Sequence, residues 1–472
     1  MDKDLVDYTL SIAAGKAVDY AEVRAHCEKS EDLSMKNGVL DSYVSAVDSG
    51  FCVRILADGG IGFASTNKWT RKEAEGVVDL AFRLAKTANR KDRITFAEEK
   101  AVKASWKVEE KTKLKDVQAE TRINAFTELD KELTSQGVNI PGRMIRSGTS
   151  LTEKYFVNTE GSAISSYLPT VGAFAYLTVI ENGKCEQSYR QFGYSGGWEA
   201  LETWRLTEKM ISEAKMLQTT IREAKSLAPG KMDLICGPEI TGIAAHESCG
   251  HPMEADRILG REMSQAGMSF IYPKGPFWLG TKIGSSAVNV IDDPTVKHSF
   301  GYFEYDDEGI EAKPRYLYKN GIINEFLQNR ESASKLKTRS NGSSRSTRYD
   351  REAIVRMSNT FVEPGNYNEQ EMFENVKHGV YMKSFTEWNI DDVRFNQRYV
   401  GREAYLIENG EVKGRVARPV IETTTQVFWS AVDAVSQKVE YAAATCGKGD
   451  PMQGIPVFTG GPMIRLKGVY VK

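Results

Sequence analysis

The sequence is poor in cysteine, in long apolar runs and in excess charge. Six cysteines are spread over 472 residues without a CxxC pair, which argues against a disulfide framework and favours a reducing compartment. No apolar run is long enough to cross a bilayer, and the acidic N-terminus is unlike a signal peptide. The net charge of −2 lacks the basic excess typical of nucleic-acid binding. We therefore expect a cytoplasmic protein that binds neither membranes nor nucleic acids.

The composition is that of an ordinary globular protein, but the chain is too long for one core. Hydrophobic residues make up 41% and charged residues 27% of the 472 residues. We predict an N-terminal α+β domain over 1–105, a central helix and strand domain over 106–228, and a C-terminal domain over 229–472. A charged, weakly periodic stretch over 89–115 reads as a linker at the first boundary, and an Ala-Pro-Gly break at 228–230 marks the second.

Strand and hairpin signals dominate the N-terminal part. Residues 20–28 alternate between apolar and polar side chains, which predicts a half-buried strand. Asn-Gly at 37–38 and Asp-Gly at 58–59 are hairpin dipeptides, so the pattern over 31–66 predicts an antiparallel meander. Further strand patterns cover about 143–185.

Helix signals are fewer but clear. Thr70 and Glu73 match a capping box before an apolar helical stripe, and a second long helix is predicted over about 201–226. Later strands are expected near 300–318, 354–360, 402–408 and 464–471. Because hairpin signals replace regular βαβ units, the predicted fold class is α+β, with antiparallel sheets and long helices.

The segment 339–351 is basic and almost free of apolar residues. The simpler interpretation is a solvated loop. The functional alternative is a basic lid over a substrate cavity, with an arginine that would stabilise an oxyanion. Here the pattern alone leaves both interpretations open.

The strongest chemical signal is AHESCGHPMEAD, residues 245–256. His246 and His251 flank Glu247 near the end of a predicted helix. Neutral imidazoles bind zinc well, and an adjacent glutamate can take a proton from water. The spacing is i, i+5, whereas the familiar zinc-protease pattern has i, i+4. This segment predicts a C-terminal metal-binding half, although the histidine pair alone is also compatible with two ordinary residues at a helix end.

An i, i+5 pair converges only if the helix changes its winding. On an ideal helix the two rings would point about 140° apart. Gly250 tolerates unusual dihedrals, and the residue before Pro252 is disfavoured in the α region, so the helix should end near His251. Glu247 shares an apolar helical stripe and should face an apolar wall, where burial disfavours its charged form.

A third metal ligand is needed, and Cys446 is the better candidate. It lies in the glycine-containing run ATCGKGD, where Lys448 would favour the thiolate. On spacing alone Cys446 is no better than Cys236 or Cys185. Cys249, beside the histidines, is also a possible ligand but fits a buried core position better.

Two carboxylates follow the histidines. Glu254 and Asp256 are candidates to orient the ring of His251 or His246, and equally fit helix-start or surface positions. The two histidines at 298 and 378 are expected to be surface groups.

These segments together resemble the TldD/PmbA family, the TldD-type metalloproteases once called modulators of DNA gyrase. The resemblance covers nearly the whole chain. It rests on ordered motifs, which are YAEVR at 20–24, GFCVR at 50–54, GFAS at 62–65, HExxxH at 246–251, DDEG at 306–309, RMSNT at 356–360, EAYLIENG at 403–410 and CGK at 446–448.

The resemblance implies a peptidase in which His246, His251 and Cys446 hold one divalent metal, usually zinc, and Glu247 is the general base. The PmbA-type branch lacks the metal residues, so this chain resembles the active TldD branch. Family members form dimers around a cavity with narrow access. The resemblance therefore also implies unfolded peptides as substrates and either a homodimer or a heterodimer with a paralogous subunit.

Two segments depart from the bacterial family pattern. A glycine-rich stretch is replaced by TEWNIDD at 386–392, and the run after CGK becomes GDPMQG at 449–454. These departures concern substrate preference and partner choice. Two alternatives stay open, which are a binding or regulatory subunit with a structural or idle metal site and a metal hydrolase that acts on a non-peptide bond.

Overall fold

The N-terminal half of the chain forms a seven-stranded sheet with helices on one face. The computed structural model describes residues 1–88, 90–262, 267–272 and 274–472. The strands are β1 Tyr20–Lys36, β2 Val39–Ala57, β3 Gly60–Thr66, β4 Lys103–Lys107, β5 Gly142–Asn158, β6 Ala163–Glu181 and β7 Lys184–Ser195. The helices are α1 Lys3–Ala14, α2 Arg71–Thr87, α3 Ala119–Thr134, α4 Ala200–Trp204 and α5 Leu206–Glu223. The sheet order is β3-β2-β1-β5-β6-β4, with β7 also on β6.

The predicted hairpin turns and the meander over 31–66 are confirmed. Asn37 and Gly38 have φ of 51° and 80°, and Asp58 and Gly59 have φ of 54° and 75°. Positive φ at both central residues matches the right-handed twist of the flanking strands. Thr70 caps α2 by accepting a hydrogen bond from the Glu73 N–H, as the sequence pattern predicts.

The strand prediction over 20–28 is correct in place but wrong in burial. Residues 20–26 of β1 are buried on both faces. Val23 packs against the helices, while Glu22, Arg24 and His26 point to the other face and lie beneath the C-terminal half. The alternating pattern identifies a two-faced strand, but it does not reveal that a second domain covers the polar face.

The stretch over 89–115 is not a free linker in its described part, which excludes Asn89. Strand β4 runs across the predicted boundary at 105/106 and pairs in parallel with β6, and Trp106 is buried. Strands β1 and β5 pair along most of their length, so the sheet is continuous between the first two predicted domains. The three domain ranges themselves stay a prediction.

The long helix predicted over 201–226 is interrupted. Helix α4 ends at Trp204 and α5 begins at Leu206, because Arg205 between them adopts a left-handed conformation with φ of 51°. The strand expected over 300–318 is also shorter than predicted. Only the last part of this range, from Arg315 onward, belongs to a sheet.

The C-terminal half contains two larger sheets. The strands are β8 Gly230–Cys236, β9 Val290–Asp292, β10 Arg315–Lys319, β11 Ile322–Ile323, β12 Ser344–Arg345, β13 Ile354–Val355, β14 Asn359–Val362, β15 His378–Met382, β16 Phe385–Ile390, β17 Asn396–Gly401, β18 Ala404–Glu408, β19 Glu411–Arg415, β20 Val420–Thr424, β21 Val432–Val435, β22 Glu440–Lys448, β23 Gln453–Gly461 and β24 Ile464–Val471. The α+β class is confirmed.

One sheet has the order β16-β17-β20-β24-β8-β15-β18-β19 with β21 on β24, and the other has the order β11-β10-β9-β14-β23-β22. The helices of this half are α6 Pro238–Ala245, α7 Ala255–Ile258, α8 Arg330–Lys335, α9 Glu371–Glu374 and α10 Thr425–Ser430. Short 3₁₀ turns span Leu114–Asp116, His251–Met253 and Gly275–Trp278. Across the described ranges, no helix is long and apolar enough to cross a membrane.

Helix α6 follows β8 and packs against β23 and β14. A Cβ atom at Gly242 would lie 2.6 Å from the backbone nitrogen of Gly460, so the helix approaches the sheet as closely as glycine allows. Helix α6 ends in the histidine motif. This close approach therefore fixes where the motif lies relative to β22 and β23.

The DDEG motif joins the two halves through buried ion pairs. The Nζ atom of Lys154 on β5 lies 2.8 Å from Asp307, and Arg54 on β2 lies 2.8 Å from Glu308 and 2.9 Å from Glu22. The cationic side chains on this face of the N-terminal sheet are thus paired with carboxylates of the motif instead of being exposed to solvent.

The basic segment 339–351 is neither a solvated loop nor a lid over the candidate metal site. Most of it is buried at the boundary between the halves. The Ser344 N–H donates to Asp306 at 2.9 Å, and the Arg351 carbonyl accepts a hydrogen bond from Arg24 at 2.6 Å. Polar composition misleads here because several of the segment's polar groups form hydrogen bonds with buried partners.

We expect Asp307→Asn to weaken the fold in a pH-dependent way. Burial raises the pKa of the Asp307 carboxyl, but Lys154 and Arg24 lower it more, so the folded pKa lies far below its usual range. Its stabilisation is therefore present above the unfolded value of about 3.9 and is lost as pH falls below it. The variant should lose about 2 kcal/mol of unfolding free energy at pH 7, since Lys154 is partly exposed.

Urea unfolding of the parent and of Asp307→Asn, at pH 7 and at pH values down to about 3, measures the difference in unfolding free energy. We expect this difference to become smaller as the pH falls. Glu153→Gln, which neutralises an exposed neighbour on β5, should change the unfolding free energy by less than about 0.5 kcal/mol. An equal effect of both variants at pH 7 would contradict the assignment.

Candidate metal centre

Helix α6 changes its winding at the histidine pair. Residues His246–Gly250 form a π-helical turn, and His251–Met253 form a 3₁₀ turn. The N–H of His251 donates to the carbonyl of His246, an i→i+5 bond that places both residues on one side of the turn. The two rings meet edge to face with centroids 4.9 Å apart. The predicted change of winding between the histidines is confirmed.

The predicted cause of that change is wrong. Gly250 has φ of −62° and His251 has φ of −58°, so neither residue leaves the α region. The extra residue is absorbed by the wider π turn instead. Glycine is needed at 250 for space, because a Cβ there would lie 2.0 Å from the sulfur of Met357.

Cys446 reaches the histidines from strand β22. This strand forms a hairpin with β23, in which Cys446 lies opposite Ile455. The Sγ atom lies 3.5 Å from Nε2 of His251. One ligand atom from each of His246, His251 and Cys446 lies within 4.8 Å of the other two, and all three residues are buried. The fold thus brings together the three residues that the resemblance names.

The other candidate cysteines lie elsewhere. Cys249 is fully buried in the C-terminal core, where burial raises the pKa of its thiol well above the usual value. Cys236 is buried in β8, and Cys185 is exposed on β7. Within the described ranges, none of the three belongs to the histidine cluster.

The charge state of the cluster suits metal ligation. Burial lowers the pKa of His246 and of His251, so both rings are neutral at pH 7. Burial raises the pKa of Cys446, but His251 and Arg356 lower it more, to about 7. Arg356 also donates to the Cys446 carbonyl. The sequence favoured Lys448 for this role, and the structure pairs that lysine elsewhere.

Of the two carboxylates predicted to orient a histidine, only Glu254 contacts one. Its Oε2 lies 2.9 Å from Nδ1 of His251, which leaves Nε2 of that ring facing the thiol. Burial raises the pKa of Glu254, but Lys448, Arg257 and His251 hold it well below its usual range. Asp256 instead accepts two hydrogen bonds from Lys448, at 2.7 and 2.8 Å.

Glu247 is buried beside the cluster, but it faces an arginine rather than an apolar wall. Its Oε2 accepts a hydrogen bond from Nη1 of Arg394. Arg394 lies in the turn between β16 and β17 with φ of 67°. Sequence reasoning missed this residue because it is 147 positions from Glu247 and belongs to no motif. The arginine expected from 339–351 is not the one beside the glutamate.

The cluster opens on a cavity of about 400 Å³. One wall is the edge of β22 over 442–447, and aromatic side chains of Tyr189, Phe385 and Trp388 line other parts. Trp388 belongs to the TEWNIDD departure, so that change in sequence reaches the cavity wall. Tyr189 comes from β7, so the N-terminal half helps to enclose the site.

The residues present fit a divalent metal. Among the described residues, Nδ1 of His246 is buried and has no hydrogen-bond partner. A buried polar atom without a partner is costly unless a ligand or water satisfies it. Two neutral imidazoles and a thiol of lowered pKa form a donor set that zinc favours.

The fold and the site together define an α+β protein with a buried candidate metal centre of two histidines and one cysteine. The chain belongs to the PmbA/TldA metallopeptidase family. The C-terminal domain of that family matches residues 229–472, its domain 1 matches 21–88, and its central domain matches 112–228.

Relatives match the chain over nearly its full length. A "metalloprotease" of Methanocaldococcus jannaschii is 30% identical and the match covers 95% of this chain and 96% of the relative. A "zinc metalloprotease TldD homolog" of Saccharolobus solfataricus is 25% identical, with 91% of each chain covered. The crystal structure of TldE from Thermococcus kodakarensis superposes with a TM-score of 0.78 at 16% identity over 99% of both chains, which shows a shared fold.

We expect the purified parent to contain about one zinc per chain and Cys446→Ala to lose most of it, because two imidazoles alone leave the site open. Elemental analysis of both proteins, after zinc addition and desalting, measures this. Cys249→Ala is the matched control, since Cys249 is a neighbouring buried cysteine outside the cluster. Full metal content in Cys446→Ala, or loss only in Cys249→Ala, would contradict the ligand assignment.

Proposed function

We propose that the protein is a metal-dependent peptidase that hydrolyses unfolded peptides. The observation that carries the proposal is the buried cluster of His246, His251 and Cys446 with Glu247 on the wall of the same cavity. Zinc is the metal that this donor set favours, and the Saccharolobus relative is named a zinc metalloprotease. A bound divalent metal would supply a Lewis acid for the scissile carbonyl and for the attacking water.

Glu247 is the general base in this proposal. Its side chain lines the same cavity as the cluster, and its Oε1 atom would take a proton from the attacking water and pass it to the leaving amine. Arg394 holds the Oε2 atom, which orients the carboxylate within the cavity. The same guanidinium lines the cavity, and in this proposal it would stabilise negative charge on the substrate carbonyl oxygen.

Glu254 supports His251 rather than the substrate. A carboxylate that accepts a hydrogen bond from Nδ1 of a metal-binding histidine fixes the tautomer of the ring. The other ring nitrogen, Nε2, is then the atom that would bind the metal. Lys448 and Arg257 form ion pairs with Glu254. These positive charges stabilise the charged carboxylate although it is fully buried. Asp256 in turn positions Lys448.

The edge of β22 supports binding of an extended peptide. Within the described residues β22 ends the sheet order and pairs only with β23, and its residues 442–447 line the cavity. A substrate strand could pair with this edge through main-chain hydrogen bonds, which tolerate many side chains. The three alanines at 442–444 present small side chains to the cavity. A second cavity of about 600 Å³ continues along the same strand.

Glu247→Gln tests the chemistry. The amide cannot accept the water proton, so we expect peptide hydrolysis to fall at least 100-fold while metal content is unchanged. Glu387→Gln is the control, because Glu387 is half exposed on β16 and pairs only with surface arginines among the described residues. Hydrolysis of a labelled unfolded peptide by chain purified alone, with and without chelator, provides the rate. Wild-type activity in metal-loaded Glu247→Gln would refute this mechanism.

The same assay separates the peptidase from the two alternatives. A binding or regulatory subunit would hold metal yet leave peptides intact until a paralogous subunit is added. A hydrolase of another bond would cleave amide or ester compounds but not peptides. The cavity lining favours the peptidase, because a free strand edge beside the cluster matches a polypeptide better than a compact small molecule.

We also infer that a second chain of the same fold pairs along the outer part of β2. Residues 39–48 of β2 are mostly exposed and include Val39, Val44 and Val47, which are 69%, 52% and 68% exposed. Strand β3 pairs only with residues 51–57 of β2, so this apolar stretch is an unpaired edge in the described structure. Exposed apolar edges of this kind are sites of strand pairing between chains. The Thermococcus neighbour named TldE makes a paralogous partner as reasonable as an identical one.

Light scattering during size exclusion tests the association. We expect about twice the chain mass of 52.6 kDa for the parent or for its mixture with a paralogous subunit. Val44→Lys with Val47→Lys should lower that mass, because lysine on an edge strand opposes pairing. A monomeric parent, both alone and with the paralogue, would contradict the inference.

A further inference from the structure

A cavity of about 360 Å³ lies between the N-terminal sheet and the C-terminal half, and none of its lining residues lines the candidate metal centre. Its floor is the inner face of β1, β5 and β6, with Trp106 of β4 at one side. Its roof is formed by residues 302–307, 345–348 and 454–456. The volume is in the range of small-molecule sites.

The floor changes from polar to apolar across the sheet. The register places His26 of β1 opposite Lys154 of β5, Lys154 opposite Ser166 of β6, and Ser166 opposite Trp106 of β4. In the next row Arg24 lies opposite Phe156. Strand β1 therefore carries the polar end of the cavity, and β6 with β4 carries the apolar end.

The roof carries both aromatic and cationic groups. Tyr302 and Phe303 pack with Trp106 at the apolar end, and the guanidinium of Arg345 lies over the Phe303 ring, 5.3 Å from its centroid. Arg348 is half exposed and also lines the cavity. Acidic groups at the polar end are already engaged, since Asp307 pairs with Lys154 and accepts from Ser346. Glu28 accepts a hydrogen bond from Thr152 at 3.1 Å.

The polar end contains a buried group without a protein partner. His26 is 2% exposed, and its Nε2 atom has no hydrogen bond within the described residues. The nearest carboxylate oxygen, on Glu28, is 3.9 Å away, which is too far for a hydrogen bond. Burial, together with Lys154 and Arg24, lowers the pKa of His26 to about 3, so the ring is neutral at pH 7 and can donate one N–H to a ligand.

Three sequence motifs with no role in the proposed peptidase chemistry meet at this cavity. Arg24 comes from YAEVR, Asp306 and Asp307 come from DDEG, and Arg345 comes from the basic segment. The Asp307–Lys154 ion pair and the hydrogen bond from Arg24 to the Arg351 carbonyl join the two halves, but joining the halves does not require an apolar cavity with a polar end. The combination is that of a built ligand site.

We propose that this cavity binds a small amphipathic carboxylate, with the carboxylate beside His26 and Lys154 and a flat apolar body against Trp106 and Leu168. The neutral imidazole donates to the carboxylate, and the cationic groups of the polar end balance its charge. The aromatic and aliphatic residues bury the apolar body. The site is independent of the proposed peptidase chemistry.

Calorimetric titration of the full chain with three naphthalene probes of matched shape tests the chemistry. The probes are 2-naphthoate, 2-naphthalenemethanol and 2-naphthylmethylammonium, which differ in charge. We expect the carboxylate to bind at least tenfold more tightly than the alcohol and the ammonium to bind most weakly. Equal affinities for the three probes, or no binding of the carboxylate at millimolar concentration, would overturn the proposal.

Two variants locate the binding. Ser166→Trp places a large side chain in the middle of the floor, and we expect it to weaken carboxylate binding at least tenfold. Ser165→Trp is its matched control, because Ser165 is the adjacent residue on the opposite face, where it contacts Lys3. Arg348→Gln, at a half-exposed roof position, should reduce the preference for carboxylate over alcohol without filling the cavity. Unchanged binding in both Ser166→Trp and Arg348→Gln would refute the location.

Discussion

The hydrogen bond from the His251 N–H to the His246 carbonyl sets the geometry on which the candidate metal centre depends. An α-helical bond at this point would leave the two rings on different sides of the helix. The i→i+5 bond turns them to one side, so that Nε2 of His251 meets the thiol of Cys446 and Nδ1 meets Glu254. The close contact of Gly250 with Met357 leaves room for this turn and for no larger residue.

Buried charge is the second constraint, because a charged group in the interior is tolerated only with partners. Near the cluster, Glu254 and Asp256 share Lys448, and Glu247 is held by Arg394. Between the halves, Lys154 pairs with Asp307 and Arg54 joins two glutamates. Each of these groups would destabilise the fold if its partner were removed, so the charged residues fix the orientation of their segments as well as their own positions.

The two halves of the chain complete one another. Strand β7 of the N-terminal half supplies Tyr189 to the wall of the metal-centre cavity, while the inner face of β1, β5 and β6 forms the floor of the 360 Å³ cavity between the halves. Both sites therefore require the contact between the N-terminal sheet and the C-terminal sheets. The same contact buries the polar face of β1, which by itself has the pattern of a solvent-exposed surface.

Features that depend on neighbouring residues could be predicted from the sequence alone. Asn-Gly and Asp-Gly specify their turns because both positions need positive φ, Thr70 begins a helix because its side chain can cap it, and the i, i+5 spacing demands a change of winding wherever the two rings converge. The resemblance of the motifs identified the family and selected Cys446, among six cysteines, as the third metal ligand. Spacing alone could not have chosen it.

Contacts between groups that are distant in the chain depend on how the whole molecule packs. Arg394 lies beside Glu247, Arg356 rather than Lys448 acts on Cys446, and Asp256 binds a lysine instead of a histidine. Most of the basic segment 339–351 is buried. In each case the partner is far away in the chain. Local patterns report the preference of a residue for a helix, a strand or a turn, whereas the environment of a buried charge is set by long-range packing of strands and by the requirement that every buried polar group find a partner.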